Sequence, residues 1–339
     1  MFAIGDYDMR VGVFGAGAWG TAVAVYLRNI GHDVVLVPKF EEQAEKMRIE
    51  LENVDFLPGI KIPKDIQITT SVPDALKDIE IAFLAVPSIG IEDLCKNIRS
   101  SSESLSKLPI LLSLCKGAQN DELETVSDIV KRFLPNFEYG VLAGPTNAKE
   151  FAKGYHAAMV LATSSDKLSE MQKELSSDHV RIYVSDDVKG VELGGYLKNV
   201  YAIGAGICDG LKLGDNAKAA YLTRSFRELV MIGTTLGGKQ ETFYGLSGFG
   251  DFIATCMGGW SRNRTFGEKI GDGQTVDEIF LTQKAAVEGY KTTKALYKSC
   301  KEHGLDTTII DEIYFVLYEG KPANDAMKSL LMRPLKAEN

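Results

Sequence analysis

The 339-residue sequence predicts an α/β protein, with an N-terminal doubly wound sheet followed by a mainly α-helical C-terminal domain. Three observations support this fold class. Short apolar segments alternate with helical segments through the first half, as in a parallel sheet covered by helices on both faces. A glycine-rich turn joins the first strand to the first helix. From Gly190 onward, apolar residues recur mostly at helical spacing. We therefore predict domains at residues 1–187 and 188–339.

Composition excludes several functional classes. A net charge of −8 argues against general nucleic-acid binding, which needs clustered positive charge. No apolar stretch reaches membrane-spanning length, and the N-terminus does not resemble a secretory signal. Five scattered cysteines without a CxxC pair suit reduced thiols, and the four histidines lack metal-ligand spacing. We expect a cytoplasmic protein without a metal site.

The first strand and its turn predict a dinucleotide-binding Rossmann domain. The apolar segment Arg10–Phe14 runs into GAGAWG and then into an apolar helix. Strand, GxGxxG and helix in this order are the dinucleotide fingerprint. Gly15 permits the tight turn, Gly17 lets the backbone approach a diphosphate, and Gly20 allows close packing of helix on strand.

The end of the second strand bears on the choice of cofactor. The strand Asp33–Val37 is followed by Pro38 and Lys39, with no acidic residue before Glu41. An acidic side chain at this place usually binds the ribose hydroxyls of NAD. Lys39 instead suits a 2′-phosphate, so we expect NADP to be preferred or both cofactors to be used. The alternative is a loop lysine that contacts nothing.

Further strands bring polar residues to one edge of the predicted sheet. The segments are 66–70, 80–86, 109–115, the strand and loop at 141–147, and a last strand at 181–184. Lys116 follows one strand, and Gly144 and Pro145 expose backbone after another. Ligands of such sheets bind beyond the carboxyl ends of the strands. Lys116 is therefore either a substrate ligand or a capping or solvent lysine.

The segment 188–210 reads as a helix with Lys198 in its middle. Glycine and alanine dominate the face around Lys198, so another backbone or a flat ligand can come close. A lysine on such a face is costly to bury without a role or a partner. One reading is a proton-transfer group that points into a cleft, with its pKa lowered by partial burial. The other is an ordinary surface lysine.

Two later motifs add charged candidates. Asp251 follows Gly245, Gly248 and Gly250, and suits both a helix N-cap and a carboxylate beside Lys198, two roles that are compatible. The segment 258–264, GGWSRNR, suits an anion site at a helix start, or a solvated basic turn. In an acidic chain with a nucleotide fold, we favour a phosphate site.

Together these stretches resemble the bacterial-type NAD(P)-dependent glycerol-3-phosphate dehydrogenases. The matching segments are GAGAWGTAVA (15–24), LCKGAQ (114–119), LAGPTNAKE (142–150), the segment 184–211, LTRSFREL (222–229), GLSGFGDFIATC (245–256), GGWSRNRTFGEKIG (258–271) and AVEGYKTT (286–293). They span nearly the whole chain in the family's order.

The resemblance implies interconversion of sn-glycerol 3-phosphate and dihydroxyacetone phosphate, in support of phospholipid synthesis. Lys198 resembles the general base, and Lys116 the second lysine that contacts both substrate and cofactor. The other substrate-binding positions are Gly144, Thr146, Asp251, Ser261, Arg262 and Asn263. Cofactor positions are Ala18, Trp19, Ala148, Arg262, Ala286 and Glu288, beside the three fingerprint glycines and Lys39. The family also implies a homodimer.

The chain departs from the family at two places. Asn147 stands where the family usually has an aromatic residue, and Pro38 and Lys39 replace a tryptophan followed by arginine or histidine. Two other functions compete with this interpretation. One is a two-domain dehydrogenase of the 6-phosphogluconate or hydroxyacid type, against which the segment SRNR argues. The other is a non-catalytic nucleotide sensor, which has no need of Lys198, Lys116 and Asp251 together.

Overall fold

The computed structural model describes residues 9–102, 105–117, 123–282, 287–332 and 337–338. The chain forms two compact units, and the division falls between Glu192 and Leu193. This point lies inside a long helix that begins at Val188, where the sequence predicts the second domain to begin.

The first unit contains one mixed β-sheet. Its strands are β1 (Arg10–Phe14), β2 (Asp33–Val37), β3 (Gln67–Ile68), β4 (Ile81–Leu84), β5 (Ile110–Ser113), β6 (Tyr139–Ala143), β7 (Ala157–Thr163) and β8 (Val180–Ser185). The order across the sheet is β3-β2-β1-β4-β5-β6-β7-β8. Strands β3 to β6 are parallel, β7 runs antiparallel to β6, and β8 is parallel to β7. The first six strands thus have the dinucleotide-binding order, which reverses between β1 and β4.

The central strands β1, β2, β4, β5 and β6 are buried on both faces, which confirms the predicted fold class for this unit. Its helices are α1 (Ala18–Asn29), α2 (Glu41–Glu50), α3 (Val72–Ala75), α4 (Ile91–Ser102), α5 (Val126–Phe133), α6 (Ala148–Ala152) and α7 (Leu168–Glu174), with a 3₁₀ turn at Ser88–Gly90. Alternate residues of one strand enter different apolar clusters: Phe83 packs with α1, and Leu84 packs with α4. This alternation follows from the two-residue period of a strand.

Several strands differ from the sequence prediction. β4 and β5 are shorter than the predicted 80–86 and 109–115. β3 is shorter than the predicted 66–70, because only Gln67 and Ile68 pair with β2. β7 was not predicted, since its segment AAMVLAT has neither a glycine-rich loop nor a polar motif after it. Because β7 turns back against β6, it extends the sheet beyond the six strands of the parallel part.

The second unit is helical, as predicted. Its helices are α8 (Val188–Gly210), α9 (Asp215–Thr235), α10 (Gln240–Phe243), α11 (Asp251–Met257), α12 (Arg262–Gly271), α13 (Val276–Thr282), α14 (Glu288–Glu302), α15 (Thr308–Tyr318) and α16 (Ala323–Leu331), with a π-helical turn at Leu246–Gly250 before α11. α8 begins in the first unit, and α8 is buried along most of its length.

Glycines allow neighbouring backbones to contact α8 directly. A Cβ atom on Gly206 would lie 1.9 Å from the carbonyl oxygen of Arg264, and one on Gly267 would lie 1.8 Å from that of Ile203. A Cβ on Gly194 would lie 2.6 Å from the carbonyl oxygen of Ser247. Glycine in a helix costs about 1 kcal/mol relative to alanine, and here it permits packing that no other residue allows.

Glu192 anchors the start of α8 within the first unit. Its carboxylate accepts hydrogen bonds from the Ser127 amide at 3.0 Å, from the Ser127 hydroxyl at 2.5 Å and from the Tyr139 hydroxyl at 2.5 Å. Burial raises the pKa of Glu192, while these donors act in the opposite direction. The buried carboxylate is thus satisfied by hydrogen bonds, as a buried polar group must be.

A second buried carboxylate joins two helices of the second unit. Glu228 of α9 accepts the backbone N–H groups of Ile309 and Ile310, at 3.0 and 2.9 Å, in the first turn of α15. The Tyr201 hydroxyl donates a third hydrogen bond at 3.3 Å. Burial nevertheless raises the pKa of Glu228 from 4.5 to about 7.

This raised pKa predicts a pH-dependent stability. Because folded Glu228 holds its proton more tightly than unfolded glutamate, its contribution to the free energy of unfolding falls as the pH rises from about 4.5 to about 7. Glu228→Gln removes this dependence. The free energy of unfolding of the variant, relative to that of the wild type, should therefore rise by up to about 3 kcal/mol between pH 4.5 and pH 7. Urea unfolding at several pH values between 4.5 and 7.5 measures the difference.

Glu278→Gln is the control for this experiment. The Thr275 amide lowers the pKa of the exposed Glu278 carboxyl from 4.5. The difference in the free energy of unfolding between Glu278→Gln and the wild type should therefore change only below about pH 4.5. A Glu228→Gln difference that stays constant from pH 4.5 to 7.5 would contradict the prediction.

Candidate active site

The glycine-rich loop of the first unit has the geometry that a diphosphate needs. Gly15 has a φ of +117°, and a Cβ there would lie 2.6 Å from the Ala85 carbonyl oxygen. A Cβ on Gly20 would lie 1.9 Å from the Gly15 carbonyl oxygen, so α1 packs tightly on the loop. Gly17 instead faces open space, since a Cβ there would meet no atom of the described chain within 4 Å.

The N-terminus of α1 follows directly from this loop. Gly17 is the N-cap residue, and no side chain caps the helix. The first N–H groups of a helix have no intrahelical acceptor, and with the helix dipole they favour an anion. Open space before uncapped N–H groups is what a dinucleotide diphosphate requires. The loop residues therefore fit an NAD or NADP cofactor.

Trp19 and Ala148 lie on the helices beside this loop. The Trp19 ring packs edge-on against Phe151 of α6 with ring centroids 5.0 Å apart. Ala148 is the first residue of α6, and both Trp19 and Ala148 are partly buried against the same apolar cluster. Asn147, at the departure from the family pattern, caps α6 by accepting the N–H groups of Lys149 and Glu150, both at 3.0 Å. Its amide does local work that an aromatic side chain cannot do.

Lys116 lies beyond the carboxyl end of β5 and reaches the loop after β6. Its ammonium donates to the Gly144 carbonyl oxygen at 2.9 Å and to the Thr146 hydroxyl at 3.4 Å. Gly144 has a φ of +153°, and a Cβ there would lie 2.8 Å from the Ala158 carbonyl oxygen. These three predicted site residues therefore form one hydrogen-bonded group at the edge of the sheet.

Lys39 and Glu41, the charged residues that follow β2, differ in their contacts. Lys39 is exposed, and its ammonium lies 5.6 Å from the centroid of the Phe40 ring. Glu41 is already engaged, because it pairs with Arg48 at 2.8 Å and accepts the Thr70 hydroxyl at 2.6 Å. The Thr70 and Arg48 hydrogen bonds lower the pKa of Glu41.

Lys198 is buried in the second unit and is not a surface lysine. Its ammonium lies 2.5 Å from the Asp251 carboxylate and donates to the Thr255 hydroxyl at 2.8 Å. The Lys198 and Asp251 side chains are 3% and 0% exposed. Gly250, not Asp251, holds the N-cap position of α11. Burial opposes the charge on the ammonium, and the carboxylate favours it.

Thr255 was missed by sequence reasoning, although its spacing was informative. It stands four residues after Asp251, which places both side chains on one face of α11. A hydroxyl four residues after a carboxylate is, by itself, a weak signal. The geometry makes it the third member of a buried triad with Lys198 and Asp251.

The next group links α8, α12 and α14. The Asn263 amide donates to the Asn199 side-chain oxygen at 2.9 Å and accepts the Gly289 N–H at 2.9 Å. The Asn199 amide in turn donates to Glu288 at 3.5 Å. These hydrogen bonds connect the predicted site residues Asn263 and Glu288, through Asn199 and Gly289, at the start of α14. Ala286, a predicted cofactor residue, lies outside the described residues.

The segment SRNR divides into structural and exposed side chains. Ser261 is buried and caps α12 through a hydrogen bond from the Arg264 N–H at 3.3 Å. Arg264 pairs with Asp209 at 2.5 Å and with Glu268 at 3.1 Å. Arg262 is exposed and makes no ion pair or hydrogen bond within the described residues. Arg262 is therefore the arginine of this segment that is available to an anion.

Two features of the described residues bear on other functions. No group of three or more histidine, cysteine, aspartate or glutamate side chains there is arranged to hold a metal ion. No helix in the same residues has the length and apolarity to cross a membrane. The five cysteines are free thiols.

Comparison with known proteins gives a consistent family. Residues 10–169 match the N-terminal profile of NAD-dependent glycerol-3-phosphate dehydrogenase, and residues 187–328 match its C-terminal profile. The chain is 39% identical over 331 residues to glycerol-3-phosphate dehydrogenase (NAD(P)+) of Thermoanaerobacter sp. strain X514, covering 97% of this chain and 99% of the relative. It is 40% identical over 333 residues to the same enzyme of Citrifermentans bemidjiense, covering 97% and 98%.

A solved structure agrees with these sequence matches. Glycerol-3-phosphate dehydrogenase of Coxiella burnetii superposes with a TM-score of 0.90 at 30% identity, covering 96% of this chain and 99% of that one. The family profiles cover most of the chain, and the relatives match it nearly end to end. This chain belongs to the NAD-dependent glycerol-3-phosphate dehydrogenase family.

Proposed function

We propose that this protein interconverts sn-glycerol 3-phosphate and dihydroxyacetone phosphate, with NAD or NADP as the redox partner. The observation that best supports this reaction is the buried group of Lys198, Asp251 and Thr255. An amine held at one place by a carboxylate and a hydroxyl suits proton transfer at a secondary alcohol. The first unit supplies a glycine-rich loop that fits a dinucleotide, and the second supplies this amine and the exposed Arg262.

Oxidation removes a hydride from the central carbon of glycerol 3-phosphate and a proton from the hydroxyl group on that carbon. The chemistry that a nicotinamide cofactor would supply here is hydride acceptance in oxidation and hydride donation in reduction. Lys198 takes the hydroxyl proton in oxidation and returns it to the carbonyl oxygen in reduction. Asp251 favours the ammonium form that donates the proton, and the Thr255 hydroxyl fixes the direction of the ammonium. Lys116 contacts substrate and cofactor in this scheme, and Gly144 and Thr146 contact substrate.

Arg262 is assigned to the substrate phosphate. Its guanidinium has five donors and is not engaged within the described residues. Asn263 accepts the Gly289 N–H and donates one amide hydrogen to Asn199, so it contributes to the substrate cluster through its remaining amide hydrogen. The Ser261 oxygen caps α12 by accepting the Arg264 N–H. Its hydroxyl hydrogen is not used in that bond, so Ser261 would bind substrate as a donor.

NADP is the preferred cofactor in this proposal. Glu41 is occupied by Arg48 and Thr70, so it is poorly placed to take the 2′-hydroxyl that an acidic residue binds in NAD-specific sites. Lys39 offers an exposed positive charge directly after β2. A homodimer, a cytoplasmic location and a role in phospholipid synthesis are further proposals from the family, and the free thiols suit a reducing compartment.

The role of Lys198 predicts a loss of rate that is separable from a loss of stability. Lys198→Met should slow the oxidation of reduced cofactor by dihydroxyacetone phosphate by about 10²–10⁴-fold, and leave cofactor binding near normal. Since this variant leaves a buried carboxylate unpaired, it should also be less stable by roughly 3–5 kcal/mol. Absorbance of the reduced cofactor, recorded with NADPH and NADH in parallel, measures the rate.

A double variant protects this test from misfolding. Lys198→Met with Asp251→Leu replaces the ion pair by apolar side chains, which often restores stability. It should fold and remain slow. Lys218→Met is the control, because Lys218 forms another ion pair in the second unit, with Asp209 at 2.7 Å. Near-normal turnover by the folded double variant would contradict the assignment of Lys198 as the proton-transfer group.

The two arginines of SRNR give a matched pair of variants. Arg262→Ala should raise the Michaelis constant for dihydroxyacetone phosphate by roughly tenfold or more, because a charge-assisted hydrogen bond is lost in both ground and transition states. Arg264→Ala should lower the unfolding temperature through its lost pairs with Asp209 and Glu268, with a smaller effect on the Michaelis constant. Steady-state kinetics and thermal unfolding separate the two. If the two variants have the same kinetic effect, the phosphate site lies elsewhere.

Cofactor preference is tested at Lys39. Lys39→Gln should raise the Michaelis constant for NADPH by roughly tenfold and leave that for NADH unchanged, since only NADPH carries the 2′-phosphate. Lys46→Gln is the control, because Lys46 is an exposed lysine of α2 that pairs with Asp55 at 2.8 Å. Equal changes for the two cofactors would remove Lys39 from the cofactor site.

A further inference from the structure

Two amide side chains hold one carbonyl group of the glycine-rich loop. The Ala16 carbonyl oxygen accepts a hydrogen bond from Gln43 Nε2 at 2.7 Å and another from Asn53 Nδ2 at 2.9 Å. Gln43 lies on α2, and Asn53 follows that helix. Asn53 is 1% exposed, and its amide also donates to the Thr21 hydroxyl at 2.7 Å. Both lone pairs of the carbonyl oxygen are therefore used.

These bonds fix a peptide plane. The Ala16–Gly17 peptide is trans, as are all peptides in the described chain. In a planar trans peptide the C=O and N–H bonds point in opposite directions. Because the Ala16 carbonyl points toward Gln43 and Asn53, the Gly17 N–H points away from them. That N–H has no acceptor within the described residues, and Gly17 faces open space.

We propose that Gln43 and Asn53 are positioning residues for the dinucleotide, which hold the Ala16–Gly17 peptide so that the Gly17 N–H donates to the diphosphate. The inference rests on the nucleotide binding of the proposed function, and not on the substrate. A glycine loop can rotate this peptide at little cost, because Gly17 lacks a Cβ. Rotation would turn the carbonyl oxygen toward the diphosphate, where two negative groups repel each other. The two amides oppose that rotation.

Gln43 gives the cleaner variant of the two. Gln43 is half-buried, and most residues beside it on α2 are exposed, so Gln43→Met keeps the shape of the side chain and loses the donor. Asn53 also ties Thr21 to the loop, so its replacement perturbs α1 as well. Gln172→Met is a matched control. Gln172 is a half-buried glutamine of the same unit that donates to a backbone carbonyl, that of Ile182, at 2.9 Å.

The test compares two ligands on the full-length protein, measured by displacement of bound NADH. ADP-ribose contains the diphosphate, and adenosine does not. Gln43→Met should raise the dissociation constant of ADP-ribose by roughly three- to tenfold, and change that of adenosine less than about twofold. Asn53→Leu should change the ADP-ribose constant in the same direction. Gln172→Met should leave both constants unchanged, and thermal unfolding should place Gln43→Met near the wild type.

The outcomes separate this inference from the proposed reaction. An equal rise for ADP-ribose and adenosine, or no rise for either, overturns the positioning role. ADP-ribose binding needs no turnover, so a protein that binds it but fails to reduce dihydroxyacetone phosphate contradicts the proposed reaction and leaves this inference standing. A selective rise for ADP-ribose in Gln43→Met supports it.

Discussion

The ion pair between Lys198 and Asp251 is the constraint on which the second unit depends. A buried ammonium without a counter-charge would cost several kcal/mol, so a carboxylate must lie beside it. Asp251 reaches Lys198 because Gly194 of α8 lets the backbone of Ser247 approach, a few residues before Asp251. The glycines that weaken α8 as an isolated helix therefore make the ion pair possible. The helix propensity of α8 is therefore lowered by residues that allow the Asp251 carboxylate to lie beside Lys198.

In the first unit, the groups that must be positioned are the backbone N–H and carbonyl groups of the glycine-rich loop. Its loop must offer N–H donors to an anion, yet each carbonyl of the same loop needs a donor elsewhere. Gly15 and Gly20 pack against backbone, and Gly17 stays open. The Ala16 carbonyl is satisfied from behind by Gln43 and Asn53. Glycines give the loop its shape, and side chains outside the fingerprint select the orientation of its peptide.

Much of this arrangement could be predicted from sequence where a local pattern is strong. β1, β2 and α8 have the predicted bounds, since each has an apolar pattern and a glycine or acidic residue at its end. β7 was missed because its position depends on pairing with β6, which is non-local. Thr255, Gln43 and Asn53 were missed for the same reason. Their importance comes from contacts with residues that are distant in the chain, except that Thr255 shares a helix face with Asp251.

Residues of one type divide between structure and chemistry according to their partners. Arg264 is neutralised by Asp209 and Glu268, whereas Arg262, two positions earlier on the same helix, extends into solvent. Sequence treats the two as one basic cluster, because charge and spacing do not reveal which arginine has an acidic neighbour. Since a guanidinium that is already paired offers few donors to a ligand, the exposed Arg262 is the arginine that we propose for the anion. The same criterion separates Lys39, which makes no ion pair within the described residues, from Lys46, which pairs with Asp55.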